Sequence, residues 1–399
     1  MLCAAGLLGF PVLARQVTAQ NDWVQDSDYA LLHAKASGQD LECRLTRIAP
    51  FLGIDLLYHA GFEVHVPRRQ FRADGVLRIT TEITPARPRG APRYFVQDLS
   101  VQPAGGEADG GALFSLGEGE YRVNWLMRGR GGRFRTAHWS FRVGSSRYGA
   151  KVETAMHPGH IEVAGIDPFS QPPEVKGGHL GRLKVAVFVN VAPPDPSAAA
   201  LSTRDRFALG SMLKVIERDA RIGQLSVVAF DLPQGRVIYR QRESENVNLP
   251  ALGKAMRAQP PGTVDAARLG EKNAEAEFLA QLLAQEIDAS DPPDALIFAG
   301  PRAVEPPHVS LDCLNVLGSP AYPIFYLDYN ANPTADPWSD AIGDVVRFFQ
   351  GREYVISKPL DLWEAWKNIL DRTAGAARAK DGGRRVAAAA RQDVTARSR

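Results

Sequence analysis

The sequence predicts an α+β protein of two domains: an antiparallel β-sandwich over residues 41–143, then a doubly wound α/β domain over residues 183–371. Three observations predict it. At 399 residues the chain exceeds what one ordinary hydrophobic core organises. Between Leu41 and Val143 apolar residues alternate in short runs broken by Gly and Pro, the period of strands with one buried face. From Leu183 onward the rhythm becomes buried strand followed by helix, the pattern of a mostly parallel sheet covered by helices.

The first segment, residues 1–19, reads as a leader peptide. Met1–Leu13 is a short apolar run, too short to span a bilayer, and Val17-Thr-Ala19 supplies the small residues that precede cleavage. No basic residue leads the run, and Arg15 stands close to the cut. Residues 20–40 form an N-terminal extension.

In the sandwich region Phe62, Val64 and Val66 share one face of a strand, as do Leu77, Ile79, Thr81 and Ile83. Tyr94–Val96 and Leu99–Val101 continue the series. Leu113–Leu116 then leads into Tyr121–Met127, where Tyr121, Val123, Trp125 and Met127 alternate. Arg130-Gly-Gly-Arg133 is a turn, and His138–Val143 is the closing strand. Gly105-Gly106 and Gly110-Gly111 read as turn residues. The stretch Leu116-Gly-Glu-Gly-Glu-Tyr121-Arg-Val123 resembles the corner-tyrosine entry to a late strand of immunoglobulin-like sandwiches. That resemblance implies a buried Tyr121 ring whose hydroxyl satisfies nearby backbone. The cysteine–tryptophan–cysteine core of antibody domains is absent.

Residues 144–182 form a connector rich in Gly and Pro, with Gln171-Pro-Pro173 and Lys176-Gly-Gly178, and do not read as core. The α/β domain opens on the strand Leu183–Val191. A helix at Thr203–Ala220 follows, with Asp205 in its first turn. Leu225–Phe230 and Arg236–Tyr239 form a hairpin across Asp231–Gly235. Helices at Leu249–Arg257 and Glu271–Ile287 precede the buried strand Ala295–Phe298. Pro323–Leu327 is the next strand, followed by a helix at Ser339–Gln350, the edge strand Glu353–Ile356 and a last helix at Leu360–Leu370. Residues 372–399 are low-complexity Ala, Arg and Gly, predicted as a disordered basic tail.

Charge is distributed unevenly. From Arg372 onward there are 8 Lys/Arg against 2 Asp/Glu, a balance of +6, which leaves 39 basic and 43 acidic residues in the remainder. The folded body therefore carries no nucleic-acid footprint, and the tail offers at most weak contact with anionic surfaces. No later stretch is apolar enough to span a bilayer. Of three cysteines, Cys3 leaves with the leader. Cys43 and Cys313 do not make a disulfide framework and read as separate, partly buried thiols.

The strand Leu183-Lys-Val-Ala-Val-Phe-Val-Asn-Val191 ends in Asn190-Val-Ala-Pro-Pro194, at the carboxyl edge where α/β sheets bind ligands. With the order strand, helix, hairpin, helix, strand, helix, strand, helix, this segment resembles the von Willebrand factor A-type domains. The resemblance implies a metal-ion-dependent adhesion site: Asp-x-Ser-x-Ser after the first strand, a threonine from a later loop and an acid after the fourth strand. Here the first three positions read Asn190, Ala192 and Pro194, and the acid position reads Gly300. Thr263 and Asp265 survive in the threonine loop. Mg²⁺ needs several hard oxygen ligands in near-octahedral array, so neither a metal nor a cofactor is expected.

Other candidates are weaker by chemistry. His157 and His160 are two imidazoles where zinc takes three or four ligands. His308 and Cys313 could form a base–thiolate pair only with an orienting third group, and none is evident. Asp231 and Asp328 end strands, where turn formation and helix capping are the common uses. There is no Gly-x-Ser-x-Gly, Gly-x-x-x-x-Gly-Lys or His-Glu-x-x-His motif. The expectation is a secreted or periplasmic, non-enzymatic protein-interaction or scaffold module. It would bind a protein partner through Asn190, Pro193, Pro194, Thr263, Asp265, Gly300 and His308. The alternatives are a hydrolase-type enzyme using Cys313, His308 or Asp328 at that edge, and a residual metal-dependent adhesin.

Overall fold

The computed structural model describes residues 15–17, 26–33, 41–71, 75–100, 107–129, 132–144, 156–165, 167–170, 183–194, 200–259, 273–287, 290–302, 310–330 and 340–397, with positions 152, 154 and 198. The chain divides into two compact units, Met1–Ile166 and Asp167–Arg399.

The first unit holds β1 (Arg15–Val17), α1 (Asp26–His33), β2 (Arg44–Leu52), β3 (Tyr58–Pro67), β4 (Val76–Arg87), β5 (Arg93–Ser100), β6 (Glu107–Leu116), β7 (Gly119–Arg128), β8 (Phe134–Val143) and β9 (Ile161–Val163). They form two antiparallel sheets, ordered β1-β5-β4-β7-β8 and β2-β3-β6-β9. The residues read from sequence as inward-facing are buried, although β4 is buried on both faces over Ile79–Ile83. Phe62, Val64 and Val66 of β3 and Leu77, Ile79 and Ile83 of β4 are all buried. Between the sheets the Phe62 ring meets Trp125 edge-on at 6.0 Å and Phe95 lies 4.7 Å from Phe114. Burying each such ring is worth roughly 1.5–3 kcal/mol.

Four features of this unit depart from the sequence expectation. Gly110 and Gly111 lie inside β6, not in a turn. A Cβ on Gly110 would sit 3.0 Å from Leu99 Cδ1 and 3.2 Å from Gln97 Nε2, so the glycine lets the sheets approach. Tyr94–Val96 and Leu99 belong to the single strand β5. The N-terminal extension contains α1, whose Leu32 packs on Tyr94, Val96 and Leu126. The connector supplies β9, which pairs Ile161–Val163 with Phe114–Leu116. Tyr121 is fully buried and its hydroxyl donates to Gly117 O at 2.6 Å, with His160 O at 3.4 Å, so one phenol ties the β6–β7 corner to the connector. Burial drives its pKa upward.

The second unit holds β10 (Leu183–Asn190), α2 (Thr203–Glu217), β11 (Ile222–Asp231), β12 (Arg236–Ser244), α3 (Leu249–Arg257), α4 (Ala274–Glu286), β13 (Ala295–Pro301), β14 (Ile324–Tyr329), α5 (Ala341–Phe348), β15 (Arg352–Ile356) and α6 (Pro359–Arg397). One mixed sheet runs β12-β11-β10-β13-β14-β15. Only the β11–β12 hairpin pairs antiparallel. Phe188, Phe298 and Tyr326 pack with Leu279 and Leu283 of α4 and Ile342 and Val346 of α5. Strand alternation turns Val187, Val189 and Ile297 to the other face, against which α2 and α6 lie.

Each helix start has a local cause. Ser202 accepts from the backbone of Asp205 to cap α2, Asn248 caps α3 through Ala251, and Asp340 caps α5 through Gly343. The end of the connector joins this unit's core. Phe169 is buried against Gly253, where a Cβ would meet it at 2.7 Å, and Pro168 O occupies the space beside Gly210 at 2.5 Å. The tail expected to be disordered over 372–399 continues α6 as far as Arg397. Ala and Arg are strong helix formers, and low complexity alone does not oppose a helix. No helix among the described residues is long and apolar enough to cross a membrane.

Candidate functional site

The carboxyl ends of β10, β13 and β14 meet the start of α2, and most residues singled out from sequence lie there. Val191 N donates to Phe230 O at 2.9 Å, which carries β10 one residue past its last ladder pair. Asn190 is completely buried. Its Nδ2 donates to Pro301 O at 3.2 Å, and its Oδ1 accepts from Ala192 N at 3.1 Å. One end of the amide ties β10 to β13, and the other sets the turn that leaves the sheet. The side-chain oxygen is thus engaged with the backbone.

Gly300 is the partner of that arrangement. It has φ +140°, a conformation that L side chains rarely adopt, and a Cβ there would lie 2.5 Å from Asn190 O. An aspartate at 300 would meet both obstacles. Asn190 and Gly300 therefore form a structural joint between β10 and β13. Pro193 is half-buried and Pro194 exposed beyond it, so the outgoing turn presents a stiff apolar rim. Thr263, Asp265 and His308 lie outside the described residues, as do the whole Gly262–Arg268 loop and positions 303–308.

Sequence reasoning missed the charged bracket that closes the same edge. Arg302 follows β13 directly. Its guanidinium donates to Asp328 Oδ2 through Nη2 at 2.7 Å and Nε at 3.2 Å, and to Glu353 Oε1 at 3.2 Å. Asp328 is fully buried and the Arg302 side chain only 16% exposed. Asp328 is therefore half of a buried ion pair. Burial alone would lower the Arg302 pKa. The bond to Asp328 and the charges of Asp328, Glu353 and Asp340 outweigh it and hold the pKa above its ordinary value.

Tyr326, buried between these groups, places its hydroxyl 3.3 Å from Pro301 O, the same carbonyl that Asn190 engages. Burial pushes its pKa well up, and the surrounding carboxylates add to the effect. On the near side Arg204, in the first turn of α2, donates to Tyr329 OH at 3.1 Å and clips that helix to the end of β14. Arg302 and Asp328 had a readable signal, as polar groups at the ends of apolar strands, whereas Glu353 lies inside the mixed-polarity strand β15. Their mutual pairing is long-range and has no local pattern.

His308, the proposed companion of Cys313, lies outside the described residues. Cys313 sits on a 3-10 turn, Asp312–Leu317, and packs against the core beside Leu311 and Leu317. Burial raises its pKa, with Glu277 and Asp312 adding to the rise, so the thiol form dominates at neutral pH. Cys43 is likewise free, and burial raises its pKa despite Arg135. His160 pairs with Glu162 at 2.7 Å in a connector turn in which His160 N donates to His157 O. Asp231 accepts from Gln234 N at 3.4 Å in the β11–β12 turn, the role expected of it. Among the described residues no group of three or more His, Cys, Asp or Glu could hold a metal ion. No family model and no curated protein matches the chain.

Proposed function

We propose that this chain is an exported, non-enzymatic protein-interaction or scaffold module. Its second unit is a von Willebrand factor A-like domain that works without a metal ion, and its first is an immunoglobulin-like sandwich. The observation that carries the reading is the Asn190–Gly300 joint. The residues standing at two adhesion-site positions are committed to holding β10 and β13 together. Where a metal-dependent site concentrates positive charge on an ion, this edge has its own cation, Arg302, already balanced by Asp328 and Glu353.

Two further features support the fold part of the reading. The mixed sheet has its third strand antiparallel at one edge and its first strand at the centre, as the resemblance implies. Tyr121 bonds the backbone at its corner. Binding would fall to the rim at Pro193–Pro194 and the loops beside it, because rigid proline backbone loses little entropy on docking. Export rests on residues 1–19 read as a leader, with a secreted or periplasmic destination.

The test is affinity capture from envelope extract with the tagged exported chain, in Mg²⁺ and in EDTA. The expected result is one partner held equally in both and lost with Pro194→Glu. Capture that needs Mg²⁺, or that ignores the substitution, overturns the reading.

A further inference from the structure

The outer face of the sheet β1-β5-β4-β7-β8 gathers arginines at one end. Three cross-strand rows lie there: Glu82–Asn124–His138, Thr84–Arg122–Ser140 and Arg87–Glu120–Arg142. These positions face outward because Ile83, Tyr121 and Val123, which alternate with them, are buried between the sheets. The hairpin joining β4 to β5 adds Arg89 and Arg93 at the same end. All five arginines are exposed. Arg142 pairs with Glu120 at 2.8 Å, and Arg87 stands 3.7 Å from the same carboxylate. The side chains of Arg89, Arg93 and Arg122 make no hydrogen bond or ion pair with any described residue. Glu82 is buried and already engaged by Thr84, Asn124 and His33. Five guanidinium groups therefore share this end with two half-buried carboxylates, Glu118 and Glu120. The hairpin is also tied down. Gly90 N donates to Pro85 O at 3.2 Å, and a Cβ on Gly159 would lie 3.1 Å from Pro88 Cγ. Pro88 and Pro92 fix its backbone further.

We propose that this arginine face docks an extended acidic segment of a protein partner. The inference rests on the protein-interaction part of the proposed function. It adds a second surface, on the first unit, and names the charge that the partner carries. Charge complementarity favours an acidic occupant, because clustered guanidinium groups without acceptors gain charge-assisted bonds when carboxylates arrive. Elsewhere in the chain Arg78, Arg221 and Arg302 each take a carboxylate through Nε and Nη2, from Asp98, Asp219 and Asp328. Spacing favours a polypeptide. Arg122 is the diagonal neighbour of both Arg87 and Arg142 in the strand register, about 7–8 Å away. Alternate residues of an extended chain recur on one side about every 7 Å. An acid at every second position of the segment therefore meets one guanidinium group after another. The sheet and the pinned hairpin hold these groups in place beforehand, so docking orders little of this protein.

The probe is a labelled, capped peptide of four Glu-Thr repeats, titrated into the intact chain at low salt and followed by fluorescence anisotropy. It is compared with an isomer carrying its glutamates in one block, and with inorganic polyphosphate of equal charge. Arg89→Glu combined with Arg122→Glu is the test variant. Both side chains are exposed and unbonded, so its melting temperature is expected to match that of the natural chain. Arg242→Glu combined with Lys254→Glu, an equal change of charge on exposed residues of the second unit, is the control. The expected result is saturable binding of the repeat peptide that weakens as salt rises. Binding should fall about tenfold for the block isomer and for the test variant, and stay unchanged in the control. No saturable binding, or equal loss in the test and control variants, overturns the docking face. Equal binding of the block isomer overturns the alternating, extended segment. Polyphosphate bound as tightly as the repeat peptide assigns the face to a phosphate polymer and overturns the protein partner. Pro194→Glu is expected to leave peptide binding intact, which separates a failure of this face from a failure of the rim.

Discussion

Asn190 commits both ends of its side-chain amide to backbone across two strands, so its replacement leaves buried groups short of partners. Asn190→Ala is expected to cost about 1–3 kcal/mol in denaturant unfolding. Gly300→Ala is expected to cost at least as much, about 1–3 kcal/mol for the backbone conformation with the clash at Asn190 O added. Both losses would be the same with or without Mg²⁺. Cys313, a thiol whose pKa is raised by burial, should react with iodoacetamide at neutral pH more slowly than an unstructured cysteine peptide, as followed by mass spectrometry. At this scale the sequence placed Asn190 and Gly300 at the carboxyl ends of β10 and β13, because both follow apolar runs with a recognisable spacing. Their mutual contact joins two strands far apart in the chain, and no local pattern records it.

The carboxyl edge is closed by three elements. β13 brings Arg302, β14 brings Asp328 and β15 brings Glu353. Removing one partner of a buried ion pair strands the other charge. Arg302→Met is accordingly expected to destabilise the fold by about 3–5 kcal/mol, and Asp328→Leu in the same chain to recover most of it. Guanidinium melts of the single and double variants measure both.

Asp219, at the α2–β11 turn, gives a pH prediction. Burial would raise its pKa, but bonds from Arg221 and from Trp366 of α6 outweigh burial and hold it below the ordinary carboxylate range. A depressed folded pKa contributes stability that is full above the unfolded value and lost as pH falls through the folded one. The stability gap between the natural chain and Asp219→Asn should therefore be widest near neutral pH. It should shrink as pH drops below about 4, read from urea melts at a series of pH values. Most elements were legible because burial follows the period of two or the helical repeat. The inclusion of Gly110–Gly111 in β6 was not, because close approach of two sheets is a tertiary cause. The length of α6 was missed because composition was read as disorder.

For the whole molecule, the division into two units and the α+β class followed from the change of rhythm at Leu183. The boundary was less legible, since the Gly/Pro-rich residues 144–182 were read as one connector outside the core. It gives β9 to the first unit and Phe169 to the core of the second, where single apolar residues among prolines did the packing. The function proposed for the whole chain depends on the mixed sheet's edge working through side chains rather than through an ion. Isothermal titration of the intact chain with Mg²⁺ and with Mn²⁺ tests this directly. The expected result is no saturable heat and no change in melting temperature with either ion. A saturable, stoichiometric heat abolished by Asp265→Ala would mean that the adhesion site is alive and the metal-independent reading wrong.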